Sequence, residues 1–163
     1  GPEADVSKPV SGIVYAETGK KSDTQAEGTD KQSDGRETKS DIGIQNKKEG
    51  CRREDEVGKE LEDRYPESEG YKVIKEAYLR DKDGNIVRDP EPPYKARRID
   101  FVVVKDGKVV DSIEVTSKTA PKEAQSAKEE RIRENGGNYI KDPDTGELIR
   151  IPDSVHTRIE RRE

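Results

Sequence analysis

Two acids in this chain occupy places where a charge is unfavourable. Asp100 and Glu114 lie at the outer ends of two apolar runs, Phe101-Val102-Val103-Val104 and Val109 to Val115, separated by Lys105-Asp106-Gly107. The runs read as the two strands of a hairpin, because β-branched residues crowd them and a Gly-bearing turn divides them. A carboxylate at the end of a buried strand is unfavourable unless it is paired or binds a metal. Two such acids at the open end of one hairpin mark a candidate site. Hard divalent cations, which prefer oxygen ligands, are the cofactor class such a pair serves.

The register decides whether the two acids meet. A three-residue Lys-Asp-Gly loop, with a left-handed Gly forming a bulge, pairs Val104 with Lys108, Val102 with Val110 and Asp100 with Ser112. Alternation then puts Asp100 and Glu114 on one face as diagonal neighbours. Thr116 and Lys118 continue that face if the strand stays extended. A two-residue loop would send Glu114 to the opposite face. That opposite face carries Phe101, Val103, Val109, Ile113 and Val115. Both faces are apolar in the middle, so helices are expected on both sides of the sheet.

Elements must position these strands. The chain has 163 residues, 42% charged and 27% hydrophobic, with a net charge of -5. That is room for one domain plus a tail, and too little apolar content for one core over the whole length. Residues 1–50 are rich in Gly, Ser, Thr, Asp, Lys and Gln and read as a flexible linker or a remnant of a preceding region. Within them Val10 to Ala16 is the sole apolar cluster, a candidate short strand. Gly1-Pro2 reads as a protease scar and the chain as a fragment of a larger protein. Residues 51–163 are expected to hold the folded domain.

Val57, Leu61 and Tyr65 recur at helical spacing, so Arg52 to Arg64 is predicted helical, stopped by Pro66. Glu54 shares the Val57 face, while Glu56, Glu60 and Glu62 crowd a solvated side. A strand follows from Tyr71 to Leu79. Asp81-Lys82-Asp83-Gly84-Asn85 is a turn, since it lacks the twelve residues and terminal Glu of a calcium loop. Asp89 to Tyr94 is a Pro-rich surface loop. After the hairpin, Thr119 and Pro121 open a helix that runs to about Asn135 and stops at Gly136-Gly137. Its stripe of Ala124, Gln125, Lys128 and Ile132 is polar where a sheet-facing stripe should be apolar. Gln125 and Lys128 therefore stand either at the margin or in a site. Tyr139-Ile140 is then a short strand, and a right-handed crossover makes it a parallel partner. A turn at Asp142 to Gly146 leads into Glu147 to Ile151. Arg158, Arg161 and Arg162 form an exposed tail, a basic patch or nothing.

Several classes are excluded. Net acidity rules out a basic nucleic-acid coat. One cysteine, Cys51, rules out an intrachain disulfide and a cysteine-rich zinc site. One histidine, His156, rules out a two-histidine nuclease and reads as a surface residue. The sequence has no apolar run of membrane-spanning length and no signal peptide.

The order α-β-β-β-α-β, with Asp100 on one strand and Glu114 to Lys118 on the next, resembles the PD-(D/E)XK (restriction-endonuclease-like) nuclease superfamily. Arg97-Arg98-Ile99-Asp100-Phe101-Val102-Val103, a Gly turn, and Ile113-Glu114-Val115-Thr116-Ser117-Lys118-Thr119-Ala120 resemble the C-terminal nuclease domains of bacterial polymorphic toxins. Contact-dependent growth inhibition toxins are the nearest type. The resemblance spans about Cys51 to Ile151. It departs at Ile99, which replaces the Pro, and at Thr116, which stands where the motif has Lys, with Lys118 one same-face step further on.

The resemblance implies an α/β fold with a mixed central sheet flanked by helices, and a metal-dependent endonuclease acting on transfer RNA or DNA. Asp100, Glu114 and the Val115 carbonyl would hold Mg²⁺, with Mn²⁺ or Zn²⁺ as alternatives. Lys118 would orient the water or neutralise the transition state, and Glu54 would complete the site. Thr116 would line it, and Gln125, Lys128 and Arg98 would hold phosphates. The implied partners are the nucleic acid and a cognate immunity protein, in a monomer or a toxin–immunity heterodimer. The domain would be secreted or delivered from a cell surface within a larger protein and act in the target-cell cytoplasm. Two other classes compete. The missing Lys at 116 motivates a catalytically inactive binding module of the same fold, and the acidity an immunity-type interaction protein.

Overall fold

The computed structural model describes residues 39–163, with side chains from residue 44. The strand expected at Val10 to Ala16 lies outside the described residues. The described residues fall into two units, which divide between Asp55 and Glu56. Helix α1 runs Lys39–Arg64. It begins well before Arg52, because Lys, Gln and Glu between Lys39 and Gly50 are good helix formers even where no apolar period announces a helix. One i,i+4 pair in this stretch is Gln45 Nε2 donating to Glu49 Oε2 at 3.1 Å.

The second unit is built on a mixed sheet. Its strands are β1 (Tyr71–Tyr78), β2 (Arg98–Lys105), β3 (Lys108–Ser117), β4 (Tyr139–Lys141), β5 (Leu148–Arg150) and β6 (Arg158–Arg162), with helix α2 (Glu123–Glu134) after β3. Strands β1, β2 and β3 form an antiparallel meander. The other edge of β3 carries two parallel partners, β5 at Lys108 and β6 along Ile113 to Ser117. The fold is therefore α/β with a six-stranded mixed sheet.

The hairpin turn differs from the expected one. Lys105 pairs with Lys108, so the loop has two residues, Asp106 and Gly107. Both have positive φ, 54° and 75°, as a type I′ turn requires. Taken alone, that loop would separate the two acids onto opposite faces. A second register change cancels it. Val104 pairs with Val109 but Val103 with Asp111, leaving Val110 unpaired in a bulge. Val110 is accordingly exposed. From there to Phe101↔Ile113 the pairing runs one residue later, and its continuation sets Glu114 directly opposite Asp100.

Apolar clusters lie on the two faces of the sheet. Val57 and Leu61 of α1 pack with Phe101, Val103, Ile113 and Val115. Gly58 permits the approach, since a Cβ there would come within 3.2 Å of the Phe101 ring. The other cluster joins Ile132 of α2 to Val102, Val104, Val109, Ile140 and Ile149. Each fully buried side chain of this size stabilises by about 1.5–3 kcal/mol.

The parallel partner gained after α2 is not Tyr139-Ile140. Strand β4 instead pairs antiparallel with β5 around a turn where Asp142 Oδ1 accepts the Asp144 N–H at 2.8 Å and Gly146 has φ +77°. The partner that runs beside the Glu114 end of β3 is β6, the arginine tail. Its charges are committed. Arg158 Nη2 meets Asp111 Oδ2 at 3.0 Å, and Arg162 pairs with Glu60. Arg161 Nη1 donates to the carbonyls of Ser117 and Ala120 at 3.0 and 2.8 Å. Strand β6 contains one apolar residue, Ile159, so no alternation marked it as a strand. Helix α2 starts at Glu123 with Lys122 as its N-cap, later than Thr119 and Pro121 imply.

Candidate functional site

Asp100 sits where the sheet opens. On the β3 side the ladder stops at Phe101↔Ile113, and Asp100 Oδ2 accepts the Val115 N–H at 2.9 Å in place of a main-chain carbonyl. On the β1 side the pairing skips from Lys75↔Phe101 to Ala77↔Ile99. The residue passed over, Glu76, has φ +57°, a conformation unusual for a side-chain-bearing residue and concentrated at functional sites. Asp100 thus occupies a notch with broken pairing on both flanks. Among the described residues its Oδ1 meets no donor.

Glu114, across from it, is buried and accepts two cations. Arg97 Nη2 lies 3.1 Å from Oε1 and Lys122 Nζ 3.2 Å from Oε2. Arg97 is 3% exposed. Its Nε donates to Glu129 Oε1 at 3.0 Å and its Nη1 to the Arg98 carbonyl at 2.8 Å. Gln125, with its amide oriented to suit its neighbours, donates to Glu114 Oε2 at 3.2 Å and accepts from Arg97 Nη1 at 3.1 Å. Thr157 donates to the second oxygen of Glu129. Its only proton is thereby committed, so Ser112 is the donor in the 2.7 Å contact between the two hydroxyls. The network ties β2, β3, α2 and the approach to β6 around one carboxylate.

Of the three neighbouring carboxylates, Asp100, Glu114 and Glu129, Asp100 is the one that no cation touches among the described residues. Burial, and then the Glu114 charge, push its pKa up to about 7, against the opposing pull of the Val115 N–H, Arg97 and Lys122. Burial works against the Arg97 charge, but Glu114, Glu129 and Asp100 outweigh it and hold its pKa above the ordinary arginine value.

No family model, curated protein or solved structure matches this chain. Its function has to be read from the chemistry of the site.

Among the described residues no three His, Cys, Asp or Glu side chains converge on one point, so the closed cage that structural zinc uses is not built here. Mg²⁺ asks less, one or two carboxylates with waters completing its shell. Asp100 has an open oxygen for an ion of that kind, whereas both oxygens of Glu114 face Arg97 and Lys122, so Glu114 would join it only by releasing one of those contacts. The Val115 N–H points to Asp100, and its carbonyl leaves the strand on the same edge.

The other expected site residues divide. Thr116 is buried and shares the Glu114 face. Gln125 lies beside Glu114 and Arg97. Lys128 donates to the Ala96 carbonyl at 2.9 Å, beside the start of β2. Arg98 faces Glu76 at 3.9 Å. Glu54, half-buried on α1, belongs to the first unit, whereas Asp100 and Glu114 belong to the second. Lys118 is exposed and its ammonium meets no acid among the described residues. The strand ends at Ser117 and Arg161 gathers the carbonyls that follow, so alternation no longer governs position 118.

Arg97, Lys122 and Glu129 are the residues that sequence reasoning missed. Lys122, Gln125, Glu129 and Ile132 recur at helical spacing and form the sheet-facing stripe of α2. Three of the four are polar, so an apolar-period search passes over it.

Proposed function

We propose that residues 56–163 form the core of a phosphodiester-cleaving nuclease of the PD-(D/E)XK type, the catalytic end of a bacterial toxin. The observation that carries this reading is Asp100 standing opposite Glu114 in a notch of the sheet, the first with an oxygen that meets no donor among the described residues and the second held in place by cations. The order α1-β1-β2-β3-α2, with β6 returning parallel to β3, supports it. A divalent ion bound at Asp100 and Glu114 would lower the pKa of a water and stabilise charge on the phosphate. The chain's own part is to fix the Glu114 carboxylate through Arg97, orient Asp100 through the Val115 N–H, and keep the notch partly desolvated. In the reaction a water oxygen forms a bond to phosphorus, the P–O ester bond breaks, and the water's proton ends on the departing oxygen.

The substrate would be transfer RNA or DNA, the cell of action a neighbouring bacterium, and the partner a cognate immunity protein that covers the notch. No helix among the described residues is long and apolar enough to cross a membrane. A second reading, a binding module without catalysis, is favoured by one observation. Both oxygens of Glu114 already face protein cations.

Incubating the full chain with plasmid DNA and with total transfer RNA, in Mg²⁺, Mn²⁺ or chelator, separates the readings. Cutting that needs the metal and disappears in Asp100→Ala is expected. Cutting that survives Asp100→Ala would sink the assignment, and metal binding without any cutting would turn it to the binding module.

A further inference from the structure

We propose that Lys122 is the catalytic lysine of this site, in contact with the scissile phosphate. This rests on the nuclease reading above. A charge-stabilising lysine must reach both the acids and the substrate. Position 116 cannot serve, since Thr116 carries no charge, and Lys118 is exposed beyond the end of β3 and meets neither acid among the described residues.

Of the two cations on Glu114, Arg97 is sealed. Its side chain is 4% exposed, and its guanidinium donors go to Glu114, Glu129 and the Arg98 carbonyl. Lys122 is different. Its side chain is 21% exposed, and among the described residues its ammonium donates one hydrogen bond, to Glu114. An ammonium has three donors, so two remain for a ligand that arrives from solvent. Lys122 also lines an open surface groove with Glu123, Ser126, Glu130, Ile159 and Arg161.

The backbone holds the lysine in place. Lys122 is the N-cap of α2, its carbonyl accepting the Ser126 N–H at 2.9 Å. The long flexible stem lets a lysine from the helix supply the point charge that the strand position lacks. Lys122 would sit against the phosphoryl oxygens as negative charge grows on them, while Glu114 keeps it oriented. It gives up no proton in this role.

The test compares the full chain with Lys122→Met, Lys122→Gln, Lys122→Arg and Asp100→Ala. Cleavage of plasmid DNA and transfer RNA and binding of Mn²⁺ are measured for each, with folding followed by circular dichroism. Removing one preorganised transition-state donor lowers kcat by about 10²–10³-fold. Lys122→Met and Lys122→Gln should show a loss of that order in kcat with little change in KM. Mn²⁺ binding should be kept or tightened, because the competing ammonium is gone. Lys122→Arg should recover part of the rate. Folded Lys122→Met and Lys122→Gln that cut at the wild-type rate, beside an inactive Asp100→Ala, would overturn the role of Lys122 and leave the nuclease standing. Loss of Mn²⁺ binding together with cutting in Lys122→Gln would overturn it too, by reducing Lys122 to a support for Glu114. A wild-type chain that cuts neither substrate would fell the nuclease reading and this role with it.

Discussion

Replacing Arg97 by Met leaves Glu114 and Glu129 buried without the cation that faces both. Arg97 meets them at 3.1 and 3.0 Å, with acid side chains only 7% and 9% exposed. Breaking a buried pair by removing one partner costs about 3–5 kcal/mol, chiefly because the remaining charge is stranded. Lys122, Gln125 and Thr157 keep some bonds to the two acids, so the lower end, about 3 kcal/mol, is expected. At about 4 °C per kcal/mol for a domain near 100 residues, Tm should fall by about 12 °C. Thermal unfolding at pH 7 followed by circular dichroism reads this deficit. Glu129→Gln added to Arg97→Met should restore part of the loss at pH 7, since an amide needs no counter-charge. A deficit below about 1 kcal/mol, with no recovery in the double variant, would refute the claim that this arginine neutralises the two acids.

Asp100 makes its own contribution to pH dependence. Its folded pKa of about 7 lies above the ordinary 3.8, so the stability it contributes is complete below about pH 4 and is lost as pH rises through about 7. Asp100→Asn should flatten that slope and be more stable than wild type at pH 8 but not at pH 4, measured by urea unfolding in chelator. Gly107→Ala should cost about 1–2 kcal/mol, read from the urea midpoint. A Cβ there meets nothing within 4 Å, so the penalty comes from φ +75° alone, and an unchanged midpoint would mean the turn is not type I′ in solution.

The apolar periods carried far in this chain. Val57 and Leu61 announced α1, and the runs around Asp106-Gly107 announced the central hairpin with both faces covered, because burial of a repeated face is a local property of sequence. The shared face of Asp100 and Glu114 was also legible, though for a different reason than the loop suggested. A two-residue turn and a bulge at Val110 each shift the alternation by one, and the two shifts cancel. Turn and bulge are chosen by how the strands twist against the rest of the sheet, which no short stretch contains.

What the sequence determined by itself was the pair of acids, the hairpin that carries them and the helix that follows. Only the tertiary structure decided which cations meet them. In a chain with 42% charged residues, Arg97 and Lys122 look like any other basic residue. They become distinct only when Glu114 and Glu129 are buried beside them, since a long charged side chain is solvated by default and becomes a fixed partner only when folding takes its counter-charge out of water. Strand β6 was hidden on the same grounds. Its arginines read as a solvent-facing tail until Asp111, Glu60 and the carbonyls of Ser117 and Ala120 were brought to meet them.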